Sequence, residues 1–412
     1  MSGIHSSLLI ITHAPAPAKP GISNPPFWHE KLTFQIGSLT CSRLSSNLPP
    51  SPCDMPSVAY YITGHGYGHA VRSLAVMRSL RDACPELTFH LRTTAPDWLF
   101  TELPFAISRS NQALDAGIVQ QSGLDMNIEA TLQECATLHQ QIPQLIDREL
   151  SFIREARAHI VVGDVPPLCF EIAARARVPS AAIANFSWNW IYRHYLDAYP
   201  SFYPLIQQME EFYSKTSLCL ALPFPGDLGV FPQRAAIPLI TRASRLDKHE
   251  ARKKYGLPEH ATIVLVTFGG FGLHPLVPER LQRAADYFFV ATGGEPLRTR
   301  NLLVLSATQH HYEDLVRAAD AVVTKAGYGV VADAISHRVP ILYTARGPFA
   351  EYEFLVQMLN SWAISEFIPR DELLTGDIVP YLDVLMGKEP RWPEVPLNGA
   401  EIAATKVLEL LR

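Results

Sequence analysis

From Ser57 to the C terminus, short β-rich apolar runs alternate with stretches of helical period, and this alternation constrains the fold more than any other feature. Parallel strands need long crossover connections, whereas antiparallel neighbours can be joined by a tight turn. The pattern therefore predicts parallel sheets covered by crossover helices. Residues 57–62 (SVAYYI) read as the first strand. Residues 69–84 read as a helix, with Val71, Leu74, Ala75, Met77 and Leu80 near helical spacing. Further strands are expected at 87–93, 159–164, 180–185 and 217–222. A helix is expected at 168–178, and a long one from Ile128 to Ala158, broken near Pro143. The segment PFPGDLGVFPQRAAIP has four prolines and no helical period, and residues 225–240 read as a linker. A second α/β series follows and ends in an amphipathic tail, 399–412. The expected fold is α/β, with two doubly wound Rossmann-like domains, 55–224 and 241–412, facing a central cleft. In such sheets ligands bind beyond the carboxyl ends of the strands.

Composition narrows the function. A chain of 412 residues exceeds what one hydrophobic core fills, and 48% hydrophobic with 18% charged residues is ordinary for a globular protein. A formal net charge of −5, with no Lys/Arg stripe, argues against nucleic acid as a partner. Cys41, Cys53, Cys84, Cys135, Cys169 and Cys219 are scattered, with no metal-ligand spacing. They read as reduced thiols of a cytoplasmic protein without structural zinc. No apolar run reaches the roughly 18 residues of a membrane span. Residues 1–54 are rich in Pro and Ser without a sustained period and read as a disordered extension, with Met55 offering an alternative start.

Three glycine loops carry the chemistry. The first is Gly64-His65-Gly66-Tyr67-Gly68-His69, between a strand and a helix. It falls short of a dinucleotide fingerprint: the third glycine is missing and no acidic residue ends the next strand. His69 is either a helix cap, which Ser or Asp would serve better, or a general base. His65 shapes the loop or touches ligand, and Arg72 is either a solvated arginine or an anion contact. The second loop runs from Thr267 to Gly272, with Gly269, Gly270 and Gly272 suited to backbone approach to phosphate or simply to a tight turn. The third is the most specific. After a strand ending at Lys325, Gly327, Tyr328 and Gly329 open a helix whose N–H groups can bind a diphosphate. Asp333, further along that helix, can accept hydrogen bonds from vicinal ribose hydroxyls. Arg346, Glu351 and Tyr352 follow at the next turn and helix start. Asp164 and the aromatic run 185–192 (NFSWNWIY) read as lining of the cleft from the first half, with core packing an equal account of the tryptophans.

YYITGHGYGHAVRS and VTKAGYGVVADAISHRVPILYTARGPFAEYEFL resemble the GT-B glycosyltransferases. They are especially similar to the group holding the lipid-II-forming N-acetylglucosaminyltransferase and the galactolipid synthases. The similarity is stronger still to the glycosyltransferase-like region of plant L-arabinokinases and its stand-alone bacterial relatives. It covers 57–412 and is weaker in the middle. It implies metal-independent transfer of a hexose or related sugar from a nucleoside diphosphate, expected to be UDP, to an acceptor hydroxyl. It places His69 on the acceptor, Asp333 on the ribose in place of the commoner Glu, and Glu351 and Tyr352 on the donor sugar, where the lipid-II enzyme has glutamines. No cofactor is expected, and membrane contact only if the acceptor is a lipid. No sugar-kinase motif follows. The alternatives are a non-catalytic nucleotide-sugar-binding or regulatory module, and a GT-B-shaped epimerase or hydrolase.

Overall fold

The computed structural model describes residues 55–122, 124–269, 278–308 and 310–412. The extension 1–54, with Cys41 and Cys53, and two glycines of the second loop, Gly270 and Gly272, lie outside the described residues.

The first sheet contains β1 (Ser57–Ile62), β2 (Thr88–Arg92), β3 (Ser108–Ser110), β4 (Ile160–Asp164), β5 (Ser180–Ala184), β6 (Leu218–Ala221) and β7 (Arg234–Ala236). All pairs are parallel, in the order β3-β2-β1-β4-β5-β6-β7. Its helices are α1 (Tyr67–Ala83), α2 (Ile128–Glu155), α3 (Leu168–Ala176), α4 (Trp188–Arg193) and α5 (Tyr203–Tyr213). Every residue of β1, β4 and β5 is buried, as expected of parallel strands covered on both faces.

The second sheet follows α6 (Lys248–Lys254). It contains β8 (Thr262–Thr267), β9 (Tyr287–Thr292), β10 (Leu297–Arg298), β11 (Leu302–Leu305), β12 (Ala321–Lys325), β13 (Ile341–Thr344) and β14 (Ser365–Phe367). Their order is β10-β11-β9-β8-β12-β13-β14, and only β10 runs antiparallel. The remaining helices are α7 (Pro278–Leu281), α8 (Tyr312–Ala318), α9 (Tyr328–His337), α10 (Tyr352–Trp362), α11 (Arg370–Thr375), α12 (Val379–Met386) and α13 (Gly399–Glu409).

Three features depart from the sequence expectation. The α2 helix continues through Pro143, which lies on the exposed face, where water can satisfy the carbonyl its ring displaces. Part of the expected linker is strand β7, which pairs with β6 at the sheet edge. The terminal helix α13 packs along α1 of the first half, so the chain end crosses back over the junction. A further tie comes from the connection between β3 and α2. It carries Leu124, 3% exposed, into the hydrophobic cluster of the second half, beside Val264, Phe268 and Leu342.

Candidate functional site

Both sheets reverse their strand order near the middle, the first between β1 and β4 and the second between β8 and β12. At such a reversal the flanking connections leave in opposite directions and open a crevice. The predicted glycine loops leave these strands.

At the first crevice, Gly66 takes a φ of 73°, open to glycine at little cost, and α1 starts without a side-chain cap. His69, in the first turn, faces inward. Its Nδ1 lies 2.7 Å from Oδ1 of Asp164, the fully buried last residue of β4. One turn on, Arg72 grips the same carboxylate through Nε to Oδ2 (2.6 Å) and Nη2 to Oδ1 (2.5 Å), and Ser73 donates to Oδ2 at 3.1 Å. Arg72 Nη1 then donates to Oδ1 of Asn185, just beyond β5, at 2.6 Å. The Asn185 amide donates to Glu351, whose other oxygen accepts from Arg346 Nη1 at 2.6 Å.

Burial lowers the His69 pKa and the Arg72 cation lowers it further, against the opposing pull of Asp164. The imidazole is therefore neutral at pH 7. Asp164 Oδ1 at 2.7 Å, nearer than the Arg72 Nη2 donor at 3.0 Å from the same Nδ1, favours the tautomer with its proton on Nδ1, which leaves Nε2 as the basic nitrogen. Burial alone would raise Asp164, but Arg72 and His69 outweigh it and hold the carboxyl below its usual range. His65 accepts from Ile118 N–H at Nδ1 (3.2 Å) and stacks on Phe349. Burial pushes its pKa far down, with Arg346 adding to the effect.

At the second crevice α9 also lacks a side-chain cap at its N terminus. A Cβ placed on Gly329 would sit 3.6 Å from Cα of Gly68, so the first and third glycine loops meet across the cleft. Burial, with Arg346 nearby, lowers Lys325 to about 7. Asp333 is 2% exposed and accepts from Arg242 through its backbone N–H (2.9 Å), Nε (3.0 Å) and Nη2 (2.5 Å). The Arg242 guanidinium also lies over the Tyr312 ring at 4.5 Å.

These groups line one cavity of about 320 Å³ between the two sheets. His65, Gly66, Gly68, His69, Arg72, Gly269, Lys325, Gly327, Tyr328, Gly329, Asp333, Arg346 and Glu351 all border it. Other predicted site residues stand apart. Asp164 lies behind His69 and orients it. Gly64 is a packing glycine, since a Cβ there would fall 1.9 Å from Thr94 Oγ1. Tyr328, although it borders the cavity, directs its hydroxyl away to Pro223 O at 3.0 Å in the other half. Tyr352 is not among the described residues bordering the cavity, whereas Glu351 beside it is. Arg242 was missed as a site residue, and Asn185 was read only as part of the lining run 185–192, not as the partner of Arg72 and Glu351. For Asn185 the available signal was a polar side chain just past a buried apolar strand. A second, apolar cavity of about 30 Å³ behind Trp188 is lined by Asp115, Cys135 and Met209 and holds none of these groups. Among the described residues, no group of three His, Cys, Asp or Glu side chains could hold a metal ion. No helix among them is long and apolar enough to cross a membrane.

Two doubly wound sheets facing across a cleft, each presenting a glycine loop at its strand-order reversal, define the GT-B fold of the glycosyltransferases. Solved GT-B structures superpose over most of the chain at low identity. UGT2 of Phytolacca americana, solved with UDP-2-fluoro-glucose and pterostilbene, matches with a TM-score of 0.56 and 13% identity over 86% of this chain and 94% of that one. MurG of Acinetobacter baumannii gives 0.54 and 13% over 86% and 99%. A UDP-glucosyltransferase from Polygonum tinctorium gives 0.55 and 14% over 89% and 94%. In sequence, the L-arabinokinase of Arabidopsis thaliana is 31% identical over 350 residues, 84% of this chain. The chain spans about a third of that relative's length, 33%. No protein-family model matches the sequence.

Proposed function

We propose that the protein transfers a hexose or related sugar from a nucleoside-diphosphate sugar, UDP-linked, to an acceptor hydroxyl, without a metal. The observation that carries this reading is the buried His69–Asp164 pair on one wall of the cleft, with the uncapped N terminus of α9 on the other. His69 Nε2 takes the acceptor proton as the hydroxyl oxygen attacks the anomeric carbon. The bond to the diphosphate oxygen breaks, and the leaving group gains its charge against the α9 N–H groups and Lys325. Gly269 backs the phosphates from the β8 loop, and Arg346 and Glu351 face the sugar. Asp333 remains the candidate for ribose, where it would share its oxygens with Arg242.

Cys135, Cys169 and Cys219, buried free thiols, support a cytoplasmic setting. The test is a panel of UDP-, GDP- and dTDP-sugars with candidate acceptors, in buffer with and without EDTA. UDP release that depends on acceptor and ignores EDTA supports the proposal. Tight nucleotide-sugar binding without turnover supports a non-catalytic module instead. That second reading is favoured by one observation, the prior engagement of Asp333 by Arg242.

A further inference from the structure

Asn185 stands between two groups of opposite demand. Arg72 offers only donors, so Asn185 must turn its oxygen toward it. An ionised Glu351 offers only acceptors, so it must receive the amide N–H. An aspartate here would repel Glu351, and a lysine would repel Arg72. The side chain is 1% exposed and Glu351 is 3% exposed, so water does not substitute for either contact. Asn185 follows β5 of the first sheet and Glu351 follows β13 of the second, so this bond crosses the cleft. On the near side it continues through Arg72 to Asp164 and His69, and on the far side it ends at Arg346. A carboxylate has about four lone-pair sites, and Glu351 uses one on each oxygen here, which leaves capacity for sugar hydroxyls.

We propose that Asn185 is a positioning residue that holds the donor-side carboxylate Glu351 in register with the acceptor-side base His69, so that recognition of the donor sugar depends on a residue of the opposite half. The proposal rests on the nucleotide-sugar reading above. It adds that the sugar's contribution to affinity, as distinct from the nucleotide's, passes through Asn185.

Asn185→Asp keeps the Arg72 contact and turns the Glu351 contact repulsive. Asn185→Asp with Glu351→Gln restores a hydrogen bond of reversed polarity, because the introduced glutamine amide can then donate to the introduced carboxylate. Calorimetric titration with UDP, UDP-glucose, UDP-galactose and UDP-N-acetylglucosamine reads the sugar increment as the ratio of UDP to UDP-sugar dissociation constants. In Asn185→Asp this ratio should fall about fivefold or more while UDP affinity stays within about twofold. The double variant should lose less than either single variant, the non-additivity of a coupled pair. Melting temperatures of all three report folding. If they drop and recover while the ratio never moves, Asn185 is only a structural link and the proposal is overturned. Additive losses overturn it too. If the wild-type protein binds UDP but gains nothing from any of the sugars, there is no increment for Asn185 to carry and the proposal fails. If it binds neither UDP nor any UDP-sugar, the nucleotide-sugar reading itself fails, and this is seen before any variant is made.

Discussion

At the scale of single residues, the proposed chemistry rests on His69 and Lys325, and burial depresses the pKa of both. A base at His69 must be unprotonated to work, and its pKa lies below the usual 6.5 because burial and Arg72 outweigh Asp164. The acid limb of the kcat/KM profile should therefore lie below pH 6.5. His69→Ala should reduce transfer by about 10²- to 10⁴-fold with little change in UDP affinity. Burial, with Arg346 beside it, brings the Lys325 pKa down to about 7. A diphosphate favours its charged form and raises that pKa, so UDP binding at pH 8 should take up protons. Calorimetry in buffers of different ionisation enthalpy measures the uptake, and Lys325→Gln should abolish it. His65 and His69, both depressed below their unfolded value, bind more protons when the chain unfolds. They therefore contribute stability that is complete above pH 6.5 and is lost as the pH falls toward their folded values. The melting temperature should drop as the pH falls below 6.5, and His65→Gln should flatten that slope.

The elements divide by length into those legible in sequence and those hidden. Strands such as β1, β4, β9 and β12 and helices such as α1, α9 and α13 carry enough apolar positions for their period to show. Three-residue edge strands such as β3, β7 and β14 contain no period at all, and only their neighbours define them. Helix α2 was expected to break at Pro143, and solvent exposure of that position is what allows it to continue. The fit between β4 and α3 is equally invisible in sequence. A Cβ on Gly163 would lie 2.6 Å from Cys169 Sγ and 2.8 Å from Phe170 Cζ. Gly163→Ala must push α3 off the strand whose next residue is Asp164. We expect a loss of about 1–3 kcal/mol, read as a lower melting temperature, with catalysis impaired beyond what the stability loss explains.

The two halves of the whole molecule are tied by more than the chain between them. Leu124 leaves the first half and is buried in the core of the second, and its neighbour Asp125 forms a two-pronged ion pair with Arg370 at 2.7 and 2.8 Å. Truncating a buried leucine costs about 2–5 kcal/mol. Here the loss should fall on the joint between halves, so Leu124→Ala should broaden or split the calorimetric unfolding transition as well as lower it. The sequence by itself determined the α/β alternation, the glycine loops at strand ends and the candidacy of His69, Lys325 and Glu351. All of these are written in residues a few positions apart, where helix and strand period and turn chemistry act. Only the tertiary structure decided which groups meet: His69 with Asp164, 95 positions away, Asn185 with Glu351, 166 away, and Asp333 with Arg242, 91 away. Those pairings depend on strand order and on how two sheets face one another, and local periodicity is compatible with many such orders.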